Sequence, residues 1–382
     1  MGDKQLVKIP GVVAVDAEYL SQKLRIFSFI LMGMVVYIHA YNINVTFEGT
    51  QYAVAKASSG RIFSWAAFIQ EFISDGLCRV AVPYFFMISS YLLFAKYSPS
   101  YTFRNFAEAL KRRFKTLVIP FFIVSVGGLL LVVFLQKLPG TDVFFRAYKL
   151  ENLNTKLVLY KLFLLPVSYQ LWFINYLFFC VLISPVIYWF IRFAGAYYIF
   201  GLLILWIDYN LQYKLHVPQI RIETLLAFSL GAFLAIRKVP IPKVESKWFA
   251  IVFLALWIGI TWFRTEYKFQ TWSFAEVHYW LKLAIFMGIL ATWSAYDVWF
   301  SNLGKSKVWL SVASFNFGIY LFHEPMLTII KKLAIRFSGN SEFALLVVYF
   351  LSGLAAILFS YYLSKIWKKV FPKGYALITG GR

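Results

Sequence analysis

Runs of about twenty apolar residues recur along this chain, and they constrain its fold more than any other feature. A helix rises ~1.5 Å per residue, so it needs ~20 apolar residues to cross the hydrocarbon core of a bilayer. Transmembrane β-strands would instead alternate apolar and polar residues over ~10 positions. The runs therefore predict an all-α, polytopic transmembrane helix bundle. About ten spans are predicted, at 24–43, 79–96, 116–136, 171–191, 196–213, 222–237, 247–264, 280–300, 307–330 and 343–366.

The composition excludes the main alternatives to a membrane protein. Of the 382 residues, 61% are hydrophobic and 14% are charged, whereas soluble domains are ~45–50% apolar and ~25% charged. Aromatic residues make up 21% of the chain, which excludes intrinsic disorder. Neither Cys78 nor Cys180 belongs to a CxxC pair, so we expect no disulfide and no metal site. We expect residues 1–382 to form a single membrane-embedded domain.

The formal net charge is +21, and the basic residues lie mainly between the apolar runs. In a soluble protein this charge would suggest nucleic-acid binding, but here it fits the positive-inside rule and contact with anionic lipid headgroups. Lys and Arg are in excess on the cytoplasmic side when both termini are cytoplasmic. Segments 1–22 and 367–382 are therefore predicted to be cytoplasmic. We expect a multi-pass protein of the cytoplasmic membrane that contacts lipid and binds no nucleic acid.

Two predicted external loops, 44–78 and 137–170, are longer than a connection between helices requires. Apolar residues within 61–73 have the spacing of a helix that lies in the membrane interface. These loops would either shape a substrate cleft or anchor the protein at the outer surface. The sequence favours neither interpretation.

Two of the four histidines lie deep inside predicted spans. His39 follows Arg25 by fourteen residues, which places it ~21 Å along its helix, and His323 reaches a similar depth of ~24 Å. Imidazole gains and loses a proton near neutral pH, which suits general acid and base catalysis. The alternative is a structural histidine that is bonded to a backbone carbonyl or a tyrosine. His216 and His278 are predicted to be ordinary loop residues.

Several cations lie at the ends of predicted spans. Arg25 faces within ~40° of His39 on the same helix, and Arg79 begins the second span at its outer end. A further cluster at an inner boundary could bind nucleotide phosphates or could simply set the membrane topology. This cluster comprises Lys111, Arg112, Arg113 and Lys115.

Five segments, in their order and spacing, resemble the acyltransferase 3 family of integral membrane acyltransferases. They are LRIFSFILMGMVVYIHA, RVAVPYFFMISSYLLF, KRRFKTLVIPFF, SYQLWFINYLFFCVLISPVIYW and FGIYLFHEP. The resemblance covers most of the chain. It implies transfer of an acyl group, usually acetyl, from cytoplasmic acyl-CoA to sugars of cell-envelope glycans or their lipid-linked precursors. It also implies that His39 is the central catalytic residue.

Four positions depart from the pattern of this family. Asn175 stands where many relatives carry a charge, and Ser90 replaces the glycine often found after Ser89. The other two, Ser28 and Thr116, concern cations. The arginine that usually precedes the catalytic histidine by eleven residues is replaced by Ser28, and the nearest arginine is Arg25. The Arg-x-x-Arg motif before the third span retains Arg113, but Thr116 occupies the second position. Neighbouring cations could supply the missing charge.

These observations predict an acyl-CoA-dependent O-acyltransferase in which His39 removes a proton from an acceptor hydroxyl. An acyl-enzyme on His39 is the alternative chemistry, and Arg79, Tyr320 or His323 would stabilise the oxyanion. Predicted catalytic residues are His39, His323, Glu324 and Arg25, with Glu324 orienting an imidazole. Acyl-CoA is predicted to contact Arg25, Arg112, Arg113 and Lys115. The acceptor is predicted to contact Arg79, Tyr91, Trp172, Asn175, Glu223 and Tyr320.

A proton-coupled transporter or flippase of a glycan or lipid precursor is the competing interpretation, because intramembrane His and Arg residues also suit proton coupling. The sequence shows no inverted repeat and no matching broken helices in two halves. The identity of the acceptor, the length of the acyl group and the formation of a homo-oligomer stay open.

Overall fold

The computed structural model describes residues 11–43, 45–47, 50–51, 64–97, 101–138, 154–164, 166–208, 221–270, 274–339 and 341–381. Helices account for nearly all of them, which confirms the all-α expectation. The described strands are short. β1 (Val12–Ala14) pairs with β4 (Pro242–Val244), and β2 (Thr46–Phe47) pairs with β3 (Thr50–Gln51), both antiparallel.

The described part of the N-terminal half contains seven helices. In chain order they are α1 (Ala17–Ala40), α2 (Trp65–Tyr97), α3 (Phe103–Gln136), α4 (Thr155–Phe163), α5 (Tyr169–Leu182), α6 (Ser184–Ala194) and α7 (Ala196–Ile207). The C-terminal half contains α8 (Ile222–Ile236), α9 (Lys247–Gln270), α10 (Ala275–Lys305), α11 (Lys307–Ala313), α12 (Asn316–Ser338), α13 (Glu342–Val370) and α14 (Pro372–Thr379).

The described residues contain fewer candidate spans than the sequence predicts. Six helices, α1, α2, α3, α9, α10 and α13, are long and apolar enough to cross a membrane. The predicted span 171–191 is the pair α5 and α6, which is bent by 57°, and it raises the count to seven if the pair is one span. The predicted spans 196–213 and 222–237 correspond to the short helices α7 and α8, and 307–330 is divided between α11 and α12. The number of ten is therefore not supported, and the orientation of the termini stays a prediction.

Helix α2 begins well inside the segment that the sequence assigns to an external loop. Ser64 caps it by accepting a hydrogen bond from the Ala67 amide at 3.0 Å, and Glu342 of α13 accepts another from the Ala66 amide at 2.7 Å. Residues 65–78 are thus helical rather than loop, because a polar cap from outside satisfies the first amides. Residues 61–63 of the predicted interfacial helix lie outside the described residues, as do 139–153 of the loop 137–170.

Two of the long helices contain turns that depart from regular α-helix near the site described below. A π-helical segment, Glu71–Gly76, and a 3₁₀ segment, Leu77–Val80, interrupt α2, and another π-helical segment, Phe114–Val118, interrupts α3. Such turns re-aim the side chains that follow and are frequent at functional sites.

Helix α1 occupies a central position, packed against α2, α12 and α13. Its N-terminal part is tied to α10 by a fully buried ion pair, in which Lys23 Nζ lies 2.8 Å from Asp297 Oδ1. The same carboxylate accepts hydrogen bonds from the Tyr19 hydroxyl and from the Val244 amide of β4. This network fixes α1 relative to the C-terminal half of the bundle.

A close approach between α2 and α8 requires glycine at position 231. A Cβ there would lie 2.0 Å from the Met87 carbonyl oxygen. Small residues allow membrane helices to pack closely without a hydrophobic driving force. Helices α2 and α8 are therefore closely packed, and α2 also packs against α1.

Candidate active site

A cavity of about 750 Å³ lies among α1, α2, α3, α5 and α12. Its volume is within the range of small-molecule sites, ~300–1,000 Å³. On α1 it extends from Ser28 to His39, which is ~17 Å of helix. On α2 it extends from Arg79 to Lys96. We call it the active-site cavity.

His39 lines this cavity in the last turn of α1. Its ring stacks on the ring of His323 with centroids 5.5 Å apart, and it meets the ring of Tyr169 edge-on at 4.7 Å. The predicted proximity of the two deep histidines is therefore present in the structure. The two aromatic contacts hold the His39 ring at the wall of the cavity.

Lys331 of α12 fixes the end of α1. Its Nζ donates to the carbonyl oxygens of His39, at 2.8 Å, and of Tyr41, at 3.1 Å, and the residue is only 9% exposed. The last carbonyls of a helix lack partners within the helix, and a cation there also interacts favourably with the helix dipole. Sequence reasoning missed Lys331, because it lies one residue beyond the predicted span 307–330.

His323 is fully buried behind His39. Its Nδ1 lies 3.1 Å from the Ile319 carbonyl, which assigns the proton to Nδ1. Its Nε2 is then an acceptor, and it has no hydrogen-bond partner within the described part of the chain.

Glu324 acts on the site through a tyrosine. Its Oε1 accepts from the Tyr169 hydroxyl at 2.7 Å, and its Oε2 accepts from the Thr328 amide at 3.3 Å. The sequence predicts that Glu324 orients an imidazole, and this role stays a prediction. The contact of Glu324 to His39 runs through Tyr169, whose ring packs against the His39 ring.

The backbone of α12 is non-helical at Glu324, next to Pro325. Proline has no amide hydrogen, so the Leu321 carbonyl loses the partner that a regular helix would provide. Buried Gln170 replaces that partner. Its Nε2 donates to the carbonyls of Leu321, at 3.2 Å, and Glu324, at 3.1 Å. Its Oε1 has no partner among the described residues.

Arg79 lines the active-site cavity at the same end as His39, and its side chain is 44% exposed. Its guanidinium pairs with Asp75, one turn earlier in α2. Asp75 in turn contacts Arg264 and Lys268 of α9, and both cations also bind Glu71. Charged groups at membrane depth are costly and usually functional. Sequence reasoning missed the two carboxylates because it placed them in an external loop.

The predicted phosphate-binding cations line the other part of the same cavity. Arg112, Arg113 and Lys115 lie where α3 changes from α-helix to π-helix. Arg113 Nη2 donates to the Ser89 carbonyl at 3.4 Å. The structure thus brings this cationic rim and His39 into a single cavity.

The remaining predicted residues divide into two groups. Trp172 and Tyr320 line the active-site cavity, although the Tyr320 hydroxyl donates to the Gln170 carbonyl at 2.9 Å. The other group does not line it. Arg25 and Tyr91 line a second cavity, Asn175 donates to the Phe163 carbonyl, and Glu223 pairs with Arg221 at 3.8 Å.

The other histidines and the cysteines lie elsewhere. His278 belongs to α10 rather than to a loop, and His216 lies outside the described residues. Cys78 and Cys180 are buried free thiols. Within the described ranges, no group of three or more His, Cys, Asp or Glu residues is arranged to hold a metal ion.

Comparison with known proteins assigns the family. The chain is 23% identical over 378 residues to the succinoglycan biosynthesis protein ExoH of Rhizobium meliloti (strain 1021), covering 95% of this chain and 93% of that protein. No solved structure gives a significant match. The model of the acyltransferase domain family, acyltransferase 3, matches residues 24–365, which include both ends of the active-site cavity. The chain is therefore a multi-pass membrane protein that belongs to the acyltransferase 3 family.

Proposed function

We propose that this protein is an integral-membrane O-acyltransferase that moves an acyl group, most often acetyl, from cytoplasmic acyl-CoA to a hydroxyl of a cell-envelope glycan or lipid-linked sugar. The observation that carries the proposal is the active-site cavity, which is lined at one end by Lys96 and the three cations of α3 and at the other by His39 and Arg79. Acyl-CoA carries a reactive thioester at one end and a polyanionic nucleotide at the other. A cavity that binds it therefore needs catalytic groups at one end and cations at the other.

The donor would lie along α1. Its nucleotide phosphates would contact Arg112, Arg113 and Lys115, since guanidinium and ammonium groups are the usual phosphate partners. Its pantetheine arm would then follow the ~17 Å of α1 between Ser28 and His39. Ser28 stands where the family usually has arginine, so the cationic rim on α3 supplies the charge in this chain. Arg25 has no place in this arrangement because it lines another cavity.

The chemistry would proceed by general-base catalysis. An imidazole nitrogen of His39 takes the proton of the acceptor hydroxyl, and the hydroxyl oxygen bonds to the thioester carbonyl carbon. The carbon–sulfur bond then breaks, and the CoA thiolate receives the proton from the imidazolium. Arg79 is the best-placed donor for the oxyanion, because the Tyr320 hydroxyl and the His323 Nδ1 already donate to backbone carbonyls.

We assign the acceptor to a chemical class rather than to a single compound. The relative from Rhizobium meliloti is a succinoglycan biosynthesis protein, and a polysaccharide acceptor for this chain follows from that likeness. Trp172 and Phe173 line the active-site cavity and offer flat apolar faces on which a sugar ring could stack. The acceptor would therefore approach beside α5.

The test is transfer of labelled acetyl from acetyl-CoA to envelope glycan in membranes that contain the protein. We expect His39→Ala to abolish transfer while its amount in the membrane is unchanged. His278→Ala is the matched control, since His278 does not line the active-site cavity, and it should retain transfer. Full activity of the His39 variant would exclude the general-base role, and label retained on the protein without acceptor would indicate the acyl-enzyme alternative.

A further inference from the structure

A second cavity of about 840 Å³ lies between the N-terminal half of α1, the C-terminal half of α2 and the segment 238–241 that follows α8. Its lining differs from that of the active-site cavity, although Ser28, Ile88 and Leu92 contribute to both. These shared residues form the partition between the two cavities. The second cavity lies at the end of α1 that is predicted to face the cytoplasm.

Two cations line this second cavity. Arg25 of α1 and Lys238 are both exposed, and neither forms an ion pair with an acidic side chain among the described residues. The carboxylate nearest to them in the lining, Asp16, is already engaged as the cap of α1, where it accepts from the Tyr19 amide at 2.7 Å. The two positive charges are therefore available to an anion.

The backbone at Lys238 adds an independent observation. This residue has φ +52°, the left-handed conformation that glycine or asparagine usually adopts just beyond a helix. A lysine pays a steric cost in that conformation. We take this conformation as support for a role of the Lys238 ammonium group in the cavity that it lines.

An apolar extension of about 300 Å³ adjoins the second cavity and shares with it Leu24, Ile88, Tyr91, Leu234 and Ile241. It continues from Tyr91 to Tyr84, about 10 Å along α2. At its inner end the polar ring atoms are occupied, since the Tyr84 hydroxyl donates to Ile289 O and Trp293 Nε1 to Pro242 O. The interior therefore offers only apolar contacts.

We propose that the second cavity binds one anionic phospholipid, with its phosphate at Arg25 and Lys238 and one acyl chain in the apolar extension. Basic pockets between transmembrane helices on the cytoplasmic side are suited to anionic headgroups. A free anion would leave the extension empty, and a zwitterionic lipid would gain little from two unpaired cations. A lipid in this place would contact the partition at Ser28 from the side opposite the active-site cavity. It is a different ligand from the acyl donor.

The experiment measures binding of dioleoyl phosphatidylglycerol to the full-length protein purified in a neutral detergent, by its effect on the melting temperature. We expect Arg25→Gln/Lys238→Gln to weaken the apparent affinity about thirtyfold, because each cation near an anionic surface contributes on the order of fivefold. Arg104→Gln/Lys247→Gln, which removes two exposed cations outside both cavities, should bind as the wild type does.

A second variant tests the apolar extension without touching the charges. Leu234→Trp fills the junction of the second cavity and its extension, and we expect it also to lose the response to phosphatidylglycerol. Dioleoyl phosphatidylcholine and glycerol 3-phosphate should give no response in the wild type. Equal responses of wild type and both variants, or a response to glycerol 3-phosphate alone, would overturn the proposal. Loss of CoA-dependent stabilisation in the Arg25/Lys238 variant would instead assign these cations to the donor.

Discussion

Arg79 is the one cation of a five-membered charged cluster that also lines the active-site cavity. Asp75 orients it, and Arg264 and Lys268 hold Asp75 from the other side. Two carboxylates and three cations leave the cluster with one net positive charge. A preorganised cation in a site shielded from water stabilises a developing oxyanion strongly, because it does not have to reorganise during the reaction.

Replacement of Arg79 by glutamine should therefore lower kcat about a hundred- to thousandfold, the range seen when one oxyanion donor is removed. The KM for acetyl-CoA should change little, because the nucleotide contacts lie at the far end of the cavity. Steady-state kinetics in detergent separate the two parameters. Arg336→Gln, at an exposed arginine of α12, is the control. A rise in KM at unchanged kcat would mean that Arg79 binds ground-state substrate only.

Lys331 does not itself line the active-site cavity but bonds to the His39 carbonyl, so its effect on catalysis should run through the position of His39. We expect Lys331→Met to lower kcat by about ten- to a hundredfold, since small misplacements of a catalytic group cost this much. The pH at half-maximal rate should also move, which a merely structural defect would not produce. Lys332→Met serves as the neighbouring control. Unchanged kinetics in the Lys331 variant would show that the α1 terminus keeps its position without the cap.

Ionisable candidate site residues could be identified from the sequence, because they are costly in a membrane. The uncharged polar residues that position them could not be identified in this way. His39 and Arg113 stand out because an ionisable group in or beside an apolar run needs a reason. Gln170 and Tyr169 carry no such signal, since uncharged polar residues near a span boundary are ordinary. Their roles depend on contacts with α12, about 150 residues away in the chain.

At the scale of elements, the break in α12 shapes the site. Pro325 removes one backbone donor, Glu324 leaves the helical conformation, and the side chain of Gln170 from α5 fills the gap. The same element then presents His323 to His39 and Glu324 to Tyr169. A proline in a membrane helix is tolerated when a neighbouring group satisfies the freed carbonyl.

Removal of that neighbouring group should be costly. Gln170→Leu leaves two buried carbonyls without their partner, and we expect the free energy of unfolding to fall by about 1–3 kcal/mol per unsatisfied group. Thermal unfolding of the purified protein measures the loss. Gln270→Leu, at an exposed glutamine on α9, should change stability by less than about 0.5 kcal/mol. Equal stability of the two variants would show that other groups, or water, satisfy the carbonyls of α12.

The count of ten spans is not confirmed in the described residues, because apolar length alone does not distinguish a straight membrane helix from a broken or short one. The run 171–191 is long enough, but the chain bends by 57° between α5 and α6, where Pro185 follows the turn. Helix α8 contains only 15 residues. The predicted span 24–43, by contrast, corresponds to a single helix, α1 (Ala17–Ala40).

At the scale of the whole molecule, α1 is central, and its residues line both cavities. One face of α1 carries Ser28 and His39 into the active-site cavity, and Arg25 lines the second cavity. The sequence placed Arg25 and His39 on similar faces from helical geometry alone. That geometry could not show that α2 divides the space in front of α1, because the division depends on the packing of Ile88 and Leu92.

For the molecule as a whole, the cationic rim is the proposed entry site for the acyl donor. Replacing Arg112, Arg113 and Lys115 together by glutamine should raise the KM for acetyl-CoA about ten- to a hundredfold, with partial solvent exposure limiting the effect. The kcat should stay within about twofold, because these side chains lie far from the reacting carbonyl, and the wild-type KM should rise with salt more steeply than that of the variant. Arg104→Gln/Lys111→Gln, on the same helix but outside the cavity lining, is the charge control. A similar KM increase in both variants would mean that the net charge of this surface, rather than the rim, attracts the donor.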